Sequence, residues 1–188
     1  RRSRSPTVVS NYHRRTVSAG GVWNPRTTSE CARILTMRRT KHRLSVADYS
    51  VPGTIWHVTL VTDRRRPYLA DESICQLVIE TFRFSCQKAN ANLLLFCVLP
   101  DHIHALIAIG RDDLVALMRN IKSWTTRQWS QGDQSRRMWQ PSFYDTGVRK
   151  TEEIDALVGY IVNNPTRKGL VDDWIDWPWT GGSLIEEM

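Results

Sequence analysis

The order of apolar patterns along this chain predicts an α+β fold, and three observations carry the prediction. Residues 54–61 alternate between faces and are rich in β-forming types. Two short apolar runs, 93–99 and 102–109, flank Pro100-Asp101 and read as two buried strands joined by a tight turn. Stretches near 71–89, 112–129 and 151–164 place apolar residues at helical spacing. With one further strand, the order is strand, helix, strand, strand, helix, strand, helix.

Residues 1–40 are rich in Arg, Ser, Thr and Gly without sustained periodicity and read as a basic, disordered tail. The folded unit is expected over 41–180, with 181–188 as a C-terminal tail. In the first strand Ile55, His57, Thr59 and Val61 share one face and Trp56, Val58 and Leu60 the other. Asp71 or Ser73 caps the first helix, whose stripe is Ile74, Leu77, Val78, Phe82 and Cys86. The second helix turns Leu114, Leu117, Met118, Ile121, Trp124 and Thr125 inward. Residues 138–144 are expected to add an edge strand, since Pro141 cannot donate to a ladder. Thr151 caps the third helix, with Glu152 and Glu153 at its positive end. Its stripe is Ile154, Leu157, Val158, Ile161 and Val162, and Pro165 ends or kinks it at Asn164. Three of the eight tryptophans fall within 174–179 and read as a lid on the core.

Of 188 residues, 26 are Lys or Arg and 19 Asp or Glu, a net charge of +7. That excess suggests an anionic partner, most simply nucleic acid. A hydrophobic content of 41% excludes general disorder. No apolar run reaches membrane-spanning length, so no membrane partner is expected. The four cysteines make no CxxC pair, which argues against a zinc ribbon. With no secretory apolar segment at the start, a reducing cytoplasm with free thiols is expected. Candidate phosphate contacts are Arg38, Arg39, Lys41 and Arg43 before the first strand and Arg64, Arg65 and Arg66 after it. Arg119, Lys122 and Arg127 on the outer side of the second helix complete the set.

The second central strand opens His102-Ile103-His104. Strand alternation points both imidazoles the same way, about 7 Å apart, close enough to converge on one divalent cation. Two polar side chains between apolar strands need a reason to be there, because an unpaired one costs on the order of 1–3 kcal/mol. Tyr160 and Asn164, four apart, are neighbours on one face of the third helix beside its apolar stripe.

Three segments in order resemble the single-tyrosine HUH transposases, most closely the REP-associated tyrosine transposases. They are Leu99-Pro100-Asp101-His102-Ile103-His104, then Pro141-Ser142-Phe143-Tyr144-Asp145-Thr146-Gly147-Val148, then Tyr160-Ile161-Val162-Asn163-Asn164-Pro165. Pro52-Gly53 and Trp56-His57-Val58-Thr59 fit as well, and the resemblance runs from about residue 38 to 179. It implies a ferredoxin-like or RRM-like antiparallel sheet flanked by helices, with the histidine strand central. It implies His102 and His104 as metal ligands, Asn164 as the group completing the metal site, Tyr160 as nucleophile, and Mg²⁺ or Mn²⁺ as cofactor. The implied activity is cleavage and rejoining of single-stranded DNA through a 5′-phosphotyrosine, at hairpin-forming repeats. A monomer with a cis site is favoured over a homodimer. Asn164 offers only a neutral amide oxygen, and Tyr144 is a second tyrosine for the nucleophile's role. The rivals are a non-catalytic nucleic-acid-binding protein that kept the fold, and a metallohydrolase whose nucleophile is water.

Overall fold

A computed structural model of the chain describes residues 48–133, 135–148 and 151–186. Strand β1 (Ile55–Val61) is followed by helix α1 (Glu72–Lys88), the hairpin β2 (Asn92–Leu99) and β3 (His102–Ala108), and helix α2 (Leu114–Trp129). Strand β4 (Tyr144–Val148), helix α3 (Thr151–Val162), the single turn α4 (Asn164–Arg167), strand β5 (Thr180–Gly181) and α5 (Ser183–Glu186) complete it. The five strands form one sheet in the order β4-β1-β3-β2-β5, every neighbouring pair antiparallel. The α+β antiparallel architecture with a central histidine strand is therefore the one expected.

The sheet has two unlike faces. On one, Trp56, Val58, Leu60, Phe96, Val98, Ile103, Ala105 and Ile107 meet α1 and α2 in the larger core. Cys75, Val78, Phe82 and Cys86 come from α1, and Leu114, Leu117, Met118 and Ile121 from α2. Asp71 caps α1 by accepting from the Ser73 and Ile74 amides, and Asp113 caps α2 through the Ala116 amide. On the other face Leu95, Cys97, Leu99 and Leu106 pack against Leu157, Ile161 and Val162 of α3. The histidines belong to this second face, which among the described residues is covered by α3 and the tryptophan-rich tail.

Three details differ from the sequence reading. Trp124 is 53% exposed rather than buried, and Thr125 alone of that pair turns inward, accepting from the Trp139 indole at 2.8 Å. The edge strand begins at Tyr144, not near 138. Lys122 reaches across to the carbonyls of Gln140, Pro141 and Ser142, so that segment spends its carbonyls on an ammonium. Only Trp139 makes a bridge, to Thr62. The tail beyond 180 is partly built in: Thr180 and Gly181 extend the sheet beside Cys97 and Phe96. A Cβ at Gly181 would sit 2.8 Å from the Phe96 ring, and Gly182 has φ +126° against the backbone of Leu94, so glycine is required at both. The Trp177 indole donates to the Val98 carbonyl, and Trp174 and Trp177 pack beside the α3 core as a lid.

Pro165 stands in the first turn of α4, just past a break in the helix at Asn163. The expected break thus falls at Asn163, one residue early, and Asn164 itself is helical as the first residue of α4. The side chains of Thr151 and Glu152 lie outside the described residues. Among the described residues no helix is long and apolar enough to cross a membrane. Cys75, Cys86 and Cys97 are free and buried, and burial pushes their thiols up to about 12, 12 and 11, which leaves them inert.

Candidate active site on the histidine strand

Register places the two histidines. His104 lies between Thr59 of β1 and Cys97 of β2, and His102 between Val61 and Leu99. Both are buried, at 5% and 6% exposure, with ring centroids 4.9 Å apart and ring planes nearly perpendicular.

Each imidazole is fixed through its Nδ1. His102 Nδ1 bonds the Asp101 carboxylate, which also accepts from Arg65 at 2.8 Å. His104 Nδ1 lies 3.0 Å from Thr59 Oγ1 and 3.1 Å from His57 Nε2. His104 Nε2 is buried with no hydrogen-bond partner. A buried orphan nitrogen is costly unless something else binds it. With a proton on Nδ1 directed at Thr59 or His57, Nε2 carries a bare lone pair, the form a metal ligand needs.

Electrostatics keep these rings neutral. Burial lowers His104 well below the ordinary histidine value, helped by His57, His102, Lys168 and Arg167. Burial also lowers His102, against an opposing pull from Asp101. The His102–Asp101 contact is therefore an N–H···carboxylate bond rather than an ion pair. Burial would raise the Asp101 carboxyl, but hydrogen bonds from His102 and Arg65 and the charge of Lys168 outweigh it, so Asp101 stays ionised.

The tyrosine helix comes to the same place. The Tyr160 ring lies edge-on to His104 at 5.5 Å between centroids, and 6.4 Å from His57. Arg167, past the break, holds its guanidinium carbon 5.1 Å from the Tyr160 ring centre. Asn164 is buried and its amide nitrogen donates to the Tyr160 carbonyl at 2.8 Å, which leaves its oxygen available. Among the described residues no three His, Cys, Asp or Glu side chains converge as a complete metal cage. The two imidazoles and the Asn164 amide oxygen would make an open donor set, of a kind suited to a hard divalent cation that shares its coordination with phosphate oxygens and water.

The model of the family described as "Transposase IS200 like" matches residues 50–164, well over half of the chain and reaching from before β1 to Asn164. The chain belongs to the IS200-like transposase family. It is 29% identical over 137 residues to a REP-associated tyrosine transposase of Escherichia coli, covering 70% of this chain and 78% of that one. A Haemophilus influenzae relative is 26% identical over 145 residues, covering 71% and 81%. The fold matches a REP-associated tyrosine transposase solved with a REP hairpin bound, with a TM-score of 0.63, 26% identity and coverage of 75% and 81%.

The basic residues of this transposase divide by layer. Arg65 joins the histidine site through Asp101. Arg64 and Arg66 are exposed on the same loop. Arg119 and Arg127 project from α2, on the side of the sheet away from the histidines, and Lys122 holds the loop before β4. Arg38, Arg39, Lys41 and Arg43 lie outside the described residues. Tyr144 pairs with Thr59, two strands from His104 on the same face, and is half exposed. Sequence reasoning gave no role to Asp101, Thr59, Arg167 or Lys168. Asp101 was legible as the neighbour of His102, whereas the other three needed the fold to bring them in.

Proposed function

We propose that this transposase cleaves and rejoins single-stranded DNA with Tyr160 as nucleophile, His102, His104 and Asn164 holding Mg²⁺ or Mn²⁺, at hairpin-forming repeats. The observation that carries the reading is the Tyr160 ring packed on His104, whose Nε2 is buried and otherwise unpartnered. A bound divalent cation would supply Lewis-acid polarisation of the scissile phosphate and neutralise charge in the transition state. His102 and His104 are pre-aligned for it by Asp101, Thr59 and His57, so no ligand has to reorganise. Arg167 and Lys168 bring positive charge to the face where an anionic phosphodiester must sit.

Tyr160 Oη attacks phosphorus and loses its proton as the P–O3′ bond breaks. The products are a 5′-phosphotyrosine and a 3′-hydroxyl that takes up a proton. Because one phosphodiester replaces another, a 3′-hydroxyl can later reverse the step on a new strand. The hairpin preference rests on the hairpin-bound relative and on family membership.

The test is a denaturing gel of the protein incubated with Mn²⁺ and a labelled oligonucleotide carrying a hairpin repeat and its flanks. A covalent protein–DNA band from the wild type, absent from Tyr160→Phe, is the expected result. Continued cutting by Tyr160→Phe would make water the nucleophile. Binding without cutting by either protein would make this a DNA-binding domain alone.

A further inference from the structure

We infer that a second nucleic-acid site lies around the corner from the histidines, a cleft that seats one nucleotide of an unpaired strand by its phosphates. The cleft has a volume of about 500 Å³ and is walled by Arg64, Arg66, Arg136, Arg137, Tyr68 and Trp129. Four guanidinium groups face one carboxylate, that of Asp63, whose closest approach to the Arg64 side chain is 3.9 Å.

The arginines are presented for binding. Trp129 is flanked by the Tyr68 ring at 4.7 Å between centroids and by the Arg136 guanidinium at 4.2 Å. Stacking occupies the face of a guanidinium and leaves its in-plane N–H groups free for phosphate. The Arg66 side chain is steadied by a 3.1 Å bond to the Tyr68 hydroxyl. Arg64 and Arg65 both adopt positive φ, 52° and 54°, a conformation uncommon for side-chain-bearing residues. The loop thereby splays three consecutive arginines. Arg64 and Arg66 line the cleft, and Arg65 turns to Asp101, the carboxylate that orients His102.

That geometry also selects the ligand. The loop begins two residues after Val61, which pairs with His102, so the cleft and the histidines share one end of the sheet. The arginines converge into a concavity from two separate segments rather than forming a row across a flat face. A duplex presents its phosphates on a convex surface, whereas a single strand can enter a concave site and lay a base against Tyr68. The inference rests on the proposed function only in taking that strand to be continuous with the one at His102 and His104.

The test uses the full chain, fluorescence anisotropy and two labelled probes, a hairpin with single-stranded flanks on both sides and the same hairpin blunt-ended. Arg136 and Arg137 are exposed, and Arg136→Gln with Arg137→Gln leaves the core untouched. The wild type should prefer the flanked probe. The double variant should lose that preference, and its plot of log affinity against log salt on that probe should flatten by about 1.4, two single-strand phosphate contacts at about 0.7 each. Arg64→Gln with Arg66→Gln, from the opposite wall, should do the same. Retained preference and slope in both double variants would overturn the inference, as would equal weakening of the blunt probe. A wild type that shows the flank effect but never forms the covalent band would overturn the proposed function and leave this site standing.

Discussion

The buried histidine cluster should make the metal-free protein acid-labile, and His57 allows the size of the effect to be worked out. Burial lowers His57 from 6.5 to about 4. The native state thus binds fewer protons than the unfolded chain at any pH between these values. A depressed histidine leaves stability at its full value above pH 6.5 and erodes it as pH falls towards 4. Between pH 7 and 4.5 the unfolded imidazole takes up about three quarters of a proton and the native one about a quarter, mostly at the acid end, a difference of roughly 2.5 kcal/mol. For a chain of this size that corresponds to a fall in Tm of about 5–10 °C. His102 and His104, lowered by the same burial, add in the same direction. The assay is thermal unfolding in EDTA across that pH range, for the wild type and for His57→Gln, whose amide keeps a polar partner for His104 but does not titrate. The variant should show a visibly shallower dependence on pH. Equal pH slopes in the two proteins, or an NMR titration placing the His57 midpoint near 6.5, would refute the reasoning.

Asp101→Asn removes the charge that orients His102, and Mn²⁺ affinity measured by calorimetry should fall 10- to 100-fold with little change in Tm. Ile161→Ala opens a cavity under Tyr160 in the core between α3 and the sheet, and chemical denaturation should show a loss of about 2–5 kcal/mol. Mixing His104→Ala with Tyr160→Phe should not restore the covalent band, since Tyr160 meets His104 within one chain; restored cleavage would show that the tyrosine helix is exchanged between subunits.

What the sequence disclosed and what it concealed follow from the range of the interactions. The strands and helices were legible because alternation and helical spacing are local, and a break near the end of α3 because Pro165 has no N–H to donate to the carbonyl four residues back. His102 and His104 could be seen sharing a face for the same reason. The edge strand was misplaced because apolar residues at 138–144 have the right composition, but their carbonyls are claimed by Lys122, some twenty residues away in sequence. Trp124 was misjudged because the stripe of α2 is already filled by Leu117, Met118 and Ile121, which leaves a large ring at its margin with nothing to cover it. Gly181 and Gly182 gave no periodic signal at all. Their role appears only when β5 closes on Phe96 and Leu94.

The candidate site sharpens the same point, since half of it is held by contacts no spacing rule can foresee. A bare His-x-His on a strand is ambiguous. What fixes the two rings is the row across the sheet, where Thr59 and His57 from β1 engage His104 Nδ1 and Asp101 from the turn engages His102 Nδ1. These partners occupy each Nδ1, and His104 Nε2 is left buried with no hydrogen-bond partner. Helix α3 then supplies the phenol of Tyr160, and α4, just past the break at Asn163, supplies the Asn164 amide bonded to the Tyr160 carbonyl, the Arg167 guanidinium over the Tyr160 ring and, at its C-cap, the Lys168 charge that helps to lower both histidines.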